Sequence, residues 1–205
     1  MRQAFQCREM LNFKSLPVFM GVLAVVLWAR PSDASIVRAL ELEELVDRAD
    51  QILLGRVVFS ECFEYPNGTL GTAHRILIER DVRGNAPEEP EVIVETLGGH
   101  LGDLAMRIEG EPTFDVGERV VVFARGAGDY LAFRPVGMGQ GVMRVRTVQG
   151  VDRVRQTRAG MMLMRRNARG VLEKSQGALP EAERLDRFLD RVRSLVERKA
   201  GASDE

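Results

Sequence analysis

The side chains that could carry chemistry are few and widely spaced in this chain. It has two histidines, His74 and His100, and two cysteines, Cys7 and Cys62. A structural zinc site takes about four cysteine or histidine ligands, so this set predicts no metal site. His100 lies three residues before Asp103 in a glycine-rich segment, and an imidazole beside a carboxylate can act as a general base or hold a ligand. We take both residues as candidate ligand or partner contacts; an incidental loop histidine is the alternative.

Motifs for catalysis and cofactor binding are missing from the sequence. It contains no Gly-x-Ser-x-Gly elbow, no phosphate-binding loop and no His-Glu-x-x-His pair. The glycine run Gly137–Gly141 precedes a predicted strand instead of opening a helix, so it predicts a backbone bend and not a dinucleotide site. His74 lies within a predicted strand and is expected at the surface or hydrogen-bonded there. The sequence therefore predicts no catalytic residue, no cofactor and no metal.

The N-terminal residues have the layout of a secretory signal peptide. Basic residues precede the apolar run Leu16–Ala29, and small residues stand at positions −3 and −1 of a cut before Ser35. The run is shorter than the roughly 20 residues that a spanning helix needs, which favours a signal peptide at 1–34 over a membrane anchor. We expect a periplasmic or extracellular protein. Cleavage would remove Cys7, leaving Cys62 either as a buried free thiol or in a disulfide with another chain.

The charge is distributed unevenly along the predicted mature chain. Residues 35–150 hold 12 basic and 19 acidic residues, whereas residues 151–200 hold 13 basic and 7 acidic residues. A basic end can bind anionic glycan, anionic lipid or nucleic acid, or it can dock on the acidic part of its own chain. Because aromatic residues for base stacking are not interleaved with the basic ones, we expect no nucleic-acid partner.

Two helices are expected to flank a strand-rich region. Apolar residues within Leu40–Ala49 recur at helical spacing, and Leu179–Lys199 is a longer amphipathic segment with Pro180 in its first turn. Between them lie about seven short strands separated by glycine, proline and asparagine turns, without helical crossovers. The Met-rich stretch Ala159–Arg169 is a short core strand or a helical turn. This pattern predicts a mainly β (α+β) barrel or sandwich at 35–157 and a C-terminal extension at 158–205 whose helix packs on it.

Three short motifs, in order, resemble the netrin-like family, which includes the tissue inhibitors of metalloproteinases. They are Ala49–Val58 (ADQILLGRVV), Val82–Gly84 (VRG) and Gly117–Phe123 (GERVVVF). The sequence is also similar to uncharacterised bacterial exported proteins that have this strand order. The resemblance covers roughly residues 40–147 and implies an OB-like antiparallel barrel of about five to seven strands with flanking helices. Inhibitors of that family place an N-terminal cysteine on a catalytic zinc, whereas this mature chain would begin with Ser35.

Three functions are compatible with this sequence. The first is an exported, non-catalytic binding module that holds an exported protein or a glycan through barrel loops, chiefly the long loop expected at Gly98–Gly110. The second is an inhibitor or regulator of an extracellular protease, acting through an exposed N-terminal edge at Ser35. The third is an enzyme in which His100 converges with other polar groups in a pocket.

Overall fold

Strands dominate the computed structural model of this chain. The structure describes residues 35–85, 89–126, 132–158 and 160–203, so the signal peptide predicted at 1–34 lies outside the described residues. The fold is mainly β, with 49% strand and 18% helix, as the turn-punctuated pattern predicted. None of the described helices is long and apolar enough to cross a membrane.

Thirteen strands and two α-helices are present in the described residues. The strands are β1 Ile36–Arg38, β2 Gln51–Glu64, β3 Leu70–Asp81, β4 Glu91–Leu97, β5 Gly99–Leu101, β6 Leu104–Met106, β7 Arg119–Gly126, β8 Ala132–Pro135, β9 Val142–Val148, β10 Val151–Gln156, β11 Met162–Arg166, β12 Leu172–Lys174 and β13 Glu183–Arg184. The helices are α1 Leu42–Arg48 and α2 Leu185–Ser203, and a 3₁₀ turn spans Met138–Gly141.

Eight strands form the main sheet in the order β13-β10-β9-β7-β2-β3-β4-β8, and β8 pairs additionally with β7. The long strand β2 bends at two register shifts, between Leu54 and Gly55 and between Val57 and Phe59. A Cβ on Gly55 would lie 2.6 Å from the carbonyl oxygen of Leu77. Glycine is therefore required at the first bend, where β2 and β3 approach closely.

Helices α1 and α2 cover one face of this sheet, and the apolar residues between them form the larger core. Helix α1 has a capping box formed by Glu41 and Glu44, which satisfies backbone donors at its N-terminus. Phe188 of α2 is fully buried, and its ring centroid lies 6.4 Å from that of Phe123 on β7. The apolar stripes that predicted both helices are confirmed as their buried faces.

The start of α2 differs from the sequence-based expectation. The helix begins at Leu185 instead of Leu179, and Pro180 is not in its first turn. Glu183 pairs with Val154 of β10 in an antiparallel bridge, so the backbone there is extended and the helix cannot start earlier. The apolar periodicity predicted the helix correctly from Leu185 onward. A strand of only two residues is too short to be recognised from such a pattern.

A second apolar core lies on the other side of the central strands. It is built from β2, β3, β4 and β7, with Val57, Ile76, Val94 and Val120 almost completely buried. Phe114, from the segment that leads into β7, packs against these residues. The central strands are thus buried on both faces, which is why they read as near-continuous Val, Ile and Leu runs.

A small three-stranded sheet joins the first strand of the described chain to residues 162–174. Strand β1 pairs in parallel with β11, and β11 pairs with β12. The Met-rich stretch is therefore a strand here, with Met161 and Leu163 buried against Ala39. The expectation of a core strand is confirmed and that of a helical turn is not.

The segment Gly98–Gly110 is not the irregular loop that the sequence predicts. Its first half is the hairpin β5–β6, in which Leu101 pairs with Leu104. Gly102, at a φ of 57°, occupies the first of the two turn positions, where positive φ matches the twist of the strands. The four glycines obscured a hairpin of two three-residue strands, too short for apolar alternation to be recognised.

Candidate functional site

A cavity of about 580 Å³ opens where β2, β3 and β4 reach the β5–β6 hairpin. The long segment between β6 and β7 forms its opposite wall. Its polar lining residues are Ser60, Thr72, His74, Thr96, His100, Arg107, Glu111, Thr113, Arg144 and Thr157. Hydroxyl groups are thus the commonest polar groups of the cavity wall.

His74 is the centre of the polar wall. It is only 3% exposed, and it stands opposite Ser60 of β2 and Val94 of β4 in the sheet register. Its Nδ1 lies 2.8 Å from Ser60 Oγ, and its Nε2 lies 3.0 Å from Thr96 Oγ1. Both ring nitrogens are thus hydrogen-bonded, and three neighbouring strands fix the orientation of the imidazole.

Burial keeps the His74 imidazole uncharged. Loss of solvent lowers its pKa from 6.5 to about 4, because an imidazolium is poorly stabilised away from water. The ring of Phe114 lies over this histidine, with centroids 4.7 Å apart, and excludes water from that side. At neutral pH the neutral ring donates one hydrogen bond and accepts the other.

Glu111 brings a carboxyl group to the opposite wall. Burial raises its pKa, whereas a hydrogen bond from the Leu97 backbone and the nearby charge of Arg134 lower it. Burial is the largest of these effects, so this carboxyl holds its proton more tightly than a solvated one. It can serve as a hydrogen-bond donor or acceptor toward a molecule in the cavity.

Arg144 of β9 closes the rim of the cavity. Its Nη1 lies 2.6 Å from Glu118 Oε1, and its Nη2 donates to the backbone oxygen of Thr113 at 2.6 Å. The guanidinium thereby ties the β6–β7 segment to the sheet. These two hydrogen bonds hold the wall in a fixed position against the sheet.

The structure does not bring the three sequence-predicted contact residues together. His100 is exposed and lines the cavity, whereas Asp103 lies at the turn of the hairpin and does not line it. No hydrogen bond or ion pair joins His100 to Asp103 within the described part of the chain. Ser35 is elsewhere: its carbonyl oxygen accepts a hydrogen bond of 2.9 Å from the Met162 backbone at the start of β11.

Sequence reasoning missed Ser60, Thr96 and Glu111 as site residues. It considered His74 but took it for a surface or satisfied strand residue, and the structure shows it satisfied and buried. Contacts among residues on three strands can be predicted only when the strand register is known. Residues 60, 74 and 96 also have no regular spacing in the sequence that would reveal their contact. The available signal for the burial of His74 was its position two residues before Ile76, which places both side chains on the same face of β3.

Cys62 lies next to the hairpin without joining the cavity wall. It is a free, half-buried cysteine on β2, and a Cβ on Gly99 would lie 2.5 Å from its Sγ. Its side chain packs under the base of β5, and a disulfide with another chain stays the alternative prediction. No group of three or more potential metal ligands occurs within the described ranges.

No protein-family model matches this chain, and no curated protein matches it. The hydroxyl groups and the half-buried carboxyl of the cavity can recognise a polar molecule through several hydrogen bonds at once, and the neutral imidazole of His74 orients two of those hydroxyls.

Proposed function

We propose that this protein is an exported, non-catalytic binding module of the netrin-like type, built on an OB-like barrel. The pairings run from β7 to β2, β3, β4 and β8 and return from β8 to β7. This closed path of pairings, together with the second apolar core formed by residues of these strands, supports a small barrel filled by side chains. The resemblance of Ala49–Val58 and Gly117–Phe123 to netrin-like strands supports the same reading.

The observation that carries the proposal is the cavity over His74. OB-folds bind through one sheet face and the adjoining loops, and here the cavity is formed by β2–β4 together with the β5–β6 hairpin. Both nitrogens of His74 are engaged by hydroxyls of the protein itself. Such a ring positions hydrogen-bonding groups for a ligand, which favours recognition over proton transfer. A glycan or a polar segment of an exported protein fits this chemistry.

The test is ligand recovery with a blocked cavity. Tagged protein expressed from the full chain is used to capture molecules from cell-envelope and secreted fractions, and it is compared with Thr113→Trp. Thr113 is exposed on the rim, so an indole there should fill the mouth without disturbing the core. We expect the wild type to retain a glycan or an exported protein that Thr113→Trp loses.

Asp115→Trp is the matched control, because Asp115 is exposed two residues away and does not line the cavity. It should retain the same molecule as the wild type. Equal recovery by the wild type and Thr113→Trp would place binding elsewhere, and recovery of nothing by any form would also contradict the proposal.

Regulation of an extracellular protease is the second candidate, and β1 is the observation that favours it. Strand β1 follows Ser35 directly and pairs only with β11 in the described residues. Ile36 on this strand is 71% exposed, and an edge strand of this kind can add to the sheet of another protein. Ile36→Asp should abolish inhibition of a captured protease; inhibition that persists in this variant would exclude the edge.

An enzyme is the third candidate, favoured by the Ser60–His74 contact inside the cavity. A hydroxyl beside an imidazole is the start of a nucleophile–base pair. Labelling of Ser60 by a serine-directed fluorophosphonate, lost in Ser60→Ala, would support it; absence of labelling would exclude a serine nucleophile.

A further inference from the structure

The β9–β10 hairpin presents four arginines on one face. Arg146 is paired directly with Arg153, and Arg144 is paired directly with Arg155. Residues opposite each other in an antiparallel pair project to the same side, and so do residues two apart on one strand. We call these four residues the arginine ladder.

The ladder faces away from the helices. Val145 and Val154, which alternate with the arginines, are buried in the core beneath α2. The turn at Gln149 and Gly150, both at positive φ, joins the strands with the tight hairpin geometry that fixes this register. The side-by-side arrangement of the arginines is therefore a consequence of the fold.

Three of the four arginines have no acidic partner among the described residues. Arg144 is neutralised by Glu118 at 2.6 Å. Arg146, Arg153 and Arg155 are exposed, and their side chains make no ion pair or hydrogen bond with any residue that the structure describes. Like charges directly opposite in a sheet destabilise it. The chain has 30 acidic residues, yet none of those described pairs with these three arginines.

The neighbouring strand extends the row. Arg184 of β13 is paired in register with Arg153, and it is neutralised by Asp186 at 2.7 Å. At the other end, Arg144 also lines the cavity over His74. The three unpaired arginines thus lie between the Arg144–Glu118 and Arg184–Asp186 ion pairs, next to the cavity.

We propose that the arginine ladder binds an acidic polysaccharide. Guanidinium groups bind carboxylates and sulfates through paired, charge-assisted hydrogen bonds. Opposed arginines stand about 5 Å apart and successive rows about 7 Å apart at their Cα atoms, by ordinary sheet geometry. A polymer with anionic groups repeated along its length can contact both rows at once. This surface adjoins the cavity through Arg144, but its ligand need not occupy the cavity.

This face lacks the side chains that other polyanions require. Its remaining residues are Val142 and Val148 on β9 and Val151 on β10. Single-stranded nucleic acid is held largely by aromatic stacking, and membrane-surface segments insert Trp, Phe or Leu. The ladder offers neither, and so its chemistry favours a hydrophilic polyanion.

The test measures binding of heparin and polygalacturonate to protein expressed from the full chain, with neutral dextran as the control polymer. We expect binding to either acidic polymer that weakens as salt rises. The double variant Arg146→Gln/Arg153→Gln should lose at least about tenfold in affinity, as expected for charged hydrogen bonds. Arg187→Gln, which removes one charge from the exposed face of α2, should change affinity less than twofold.

Two readouts keep the result interpretable. The double variant should melt at the wild-type temperature or above, because a like-charge pair is removed. Thr113→Trp should retain polysaccharide binding, which separates the ladder from the cavity. Undiminished binding by the double variant, or no binding to either acidic polymer at low salt, would overturn the proposal. Tighter ladder-dependent binding to single-stranded DNA or to anionic phospholipid vesicles would overturn it as well.

Discussion

His74 couples the stability of the fold to pH. The buried ring has a pKa of about 4 against an ordinary value of 6.5, so between these values the unfolded chain binds more protons than the folded one. Folding stability contributed by the neutral ring is complete above pH 6.5 and is lost as the pH falls toward 4. We expect a loss of about 2–4 kcal/mol over this window from His74 alone.

The chain has one other histidine, His100, which serves as the matched control. Urea unfolding at several pH values should show that His74→Gln removes most of this acid sensitivity and that His100→Gln leaves it unchanged. If the free energy of unfolding changed with pH by the same slope in the wild type and in His74→Gln, the burial of the His74 ring would be contradicted.

Gln140 stabilises the fold through side-chain hydrogen bonds to two backbone groups. It is 2% exposed, its Oε1 accepts from the Leu40 backbone at 2.9 Å, and its Nε2 donates to the Arg38 carbonyl at 3.1 Å. Gln140→Ala leaves both backbone groups without a partner and should cost about 2–4 kcal/mol. Chemical denaturation measures this, with Gln176→Ala at an exposed position expected within about 0.5 kcal/mol of wild type.

At the scale of elements, the base of the β5–β6 hairpin depends on a glycine. Gly99 has a φ of 144°, and a Cβ there would lie 2.5 Å from both Cys62 Sγ and Thr72 Oγ1. Gly99→Ala should therefore displace the hairpin and weaken ligand binding. Gly102→Ala, also at positive φ but with open space around it, should cost about 1 kcal/mol and leave binding intact. Similar effects of both variants would contradict this view of the hairpin.

Helix α2 stabilises the larger core chiefly through Phe188. Replacing this fully buried ring by alanine should cost about 3–5 kcal/mol, because a cavity is left between α2 and β7. Leu172→Ala is the control, since Leu172 is 55% exposed. A thermal melt of Phe188→Ala within a few degrees of the wild type would mean that the helix does not hold the core.

The elements that sequence reasoning predicted well are those with long apolar patterns. The buried stripe of α2 is the clearest example, because helical periodicity is a local signal. The β5–β6 hairpin and the two-residue strand β13 were missed, because pairing with distant residues decides them. The site was predicted only at His100, since the meeting of Ser60, His74 and Thr96 depends on the register of three strands.

At the scale of the whole molecule, we expect the fold to depend on its apolar cores and not on a cross-link. Cys62 is a free cysteine and no potential metal cluster occurs in the described part of the chain. We expect a reductant, a chelator or Cys62→Ser to leave the cooperative melt within about 2 °C of the wild type, since small changes at half-buried sites shift stability little. Loss of the cooperative transition under any of these conditions would contradict this expectation.

Ligand binding in the cavity over His74 is tested most directly by a ¹⁵N NMR titration of histidine-labelled protein with the molecule that the wild type captures and Thr113→Trp does not. The ring nitrogens of His74 report on the cavity, because they are fixed between Ser60 and Thr96. We predict that bound ligand shifts the His74 ring signals in the wild type and that Thr113→Trp abolishes this shift. Saturable binding that leaves the His74 signals unmoved would show that this cavity is not the binding site.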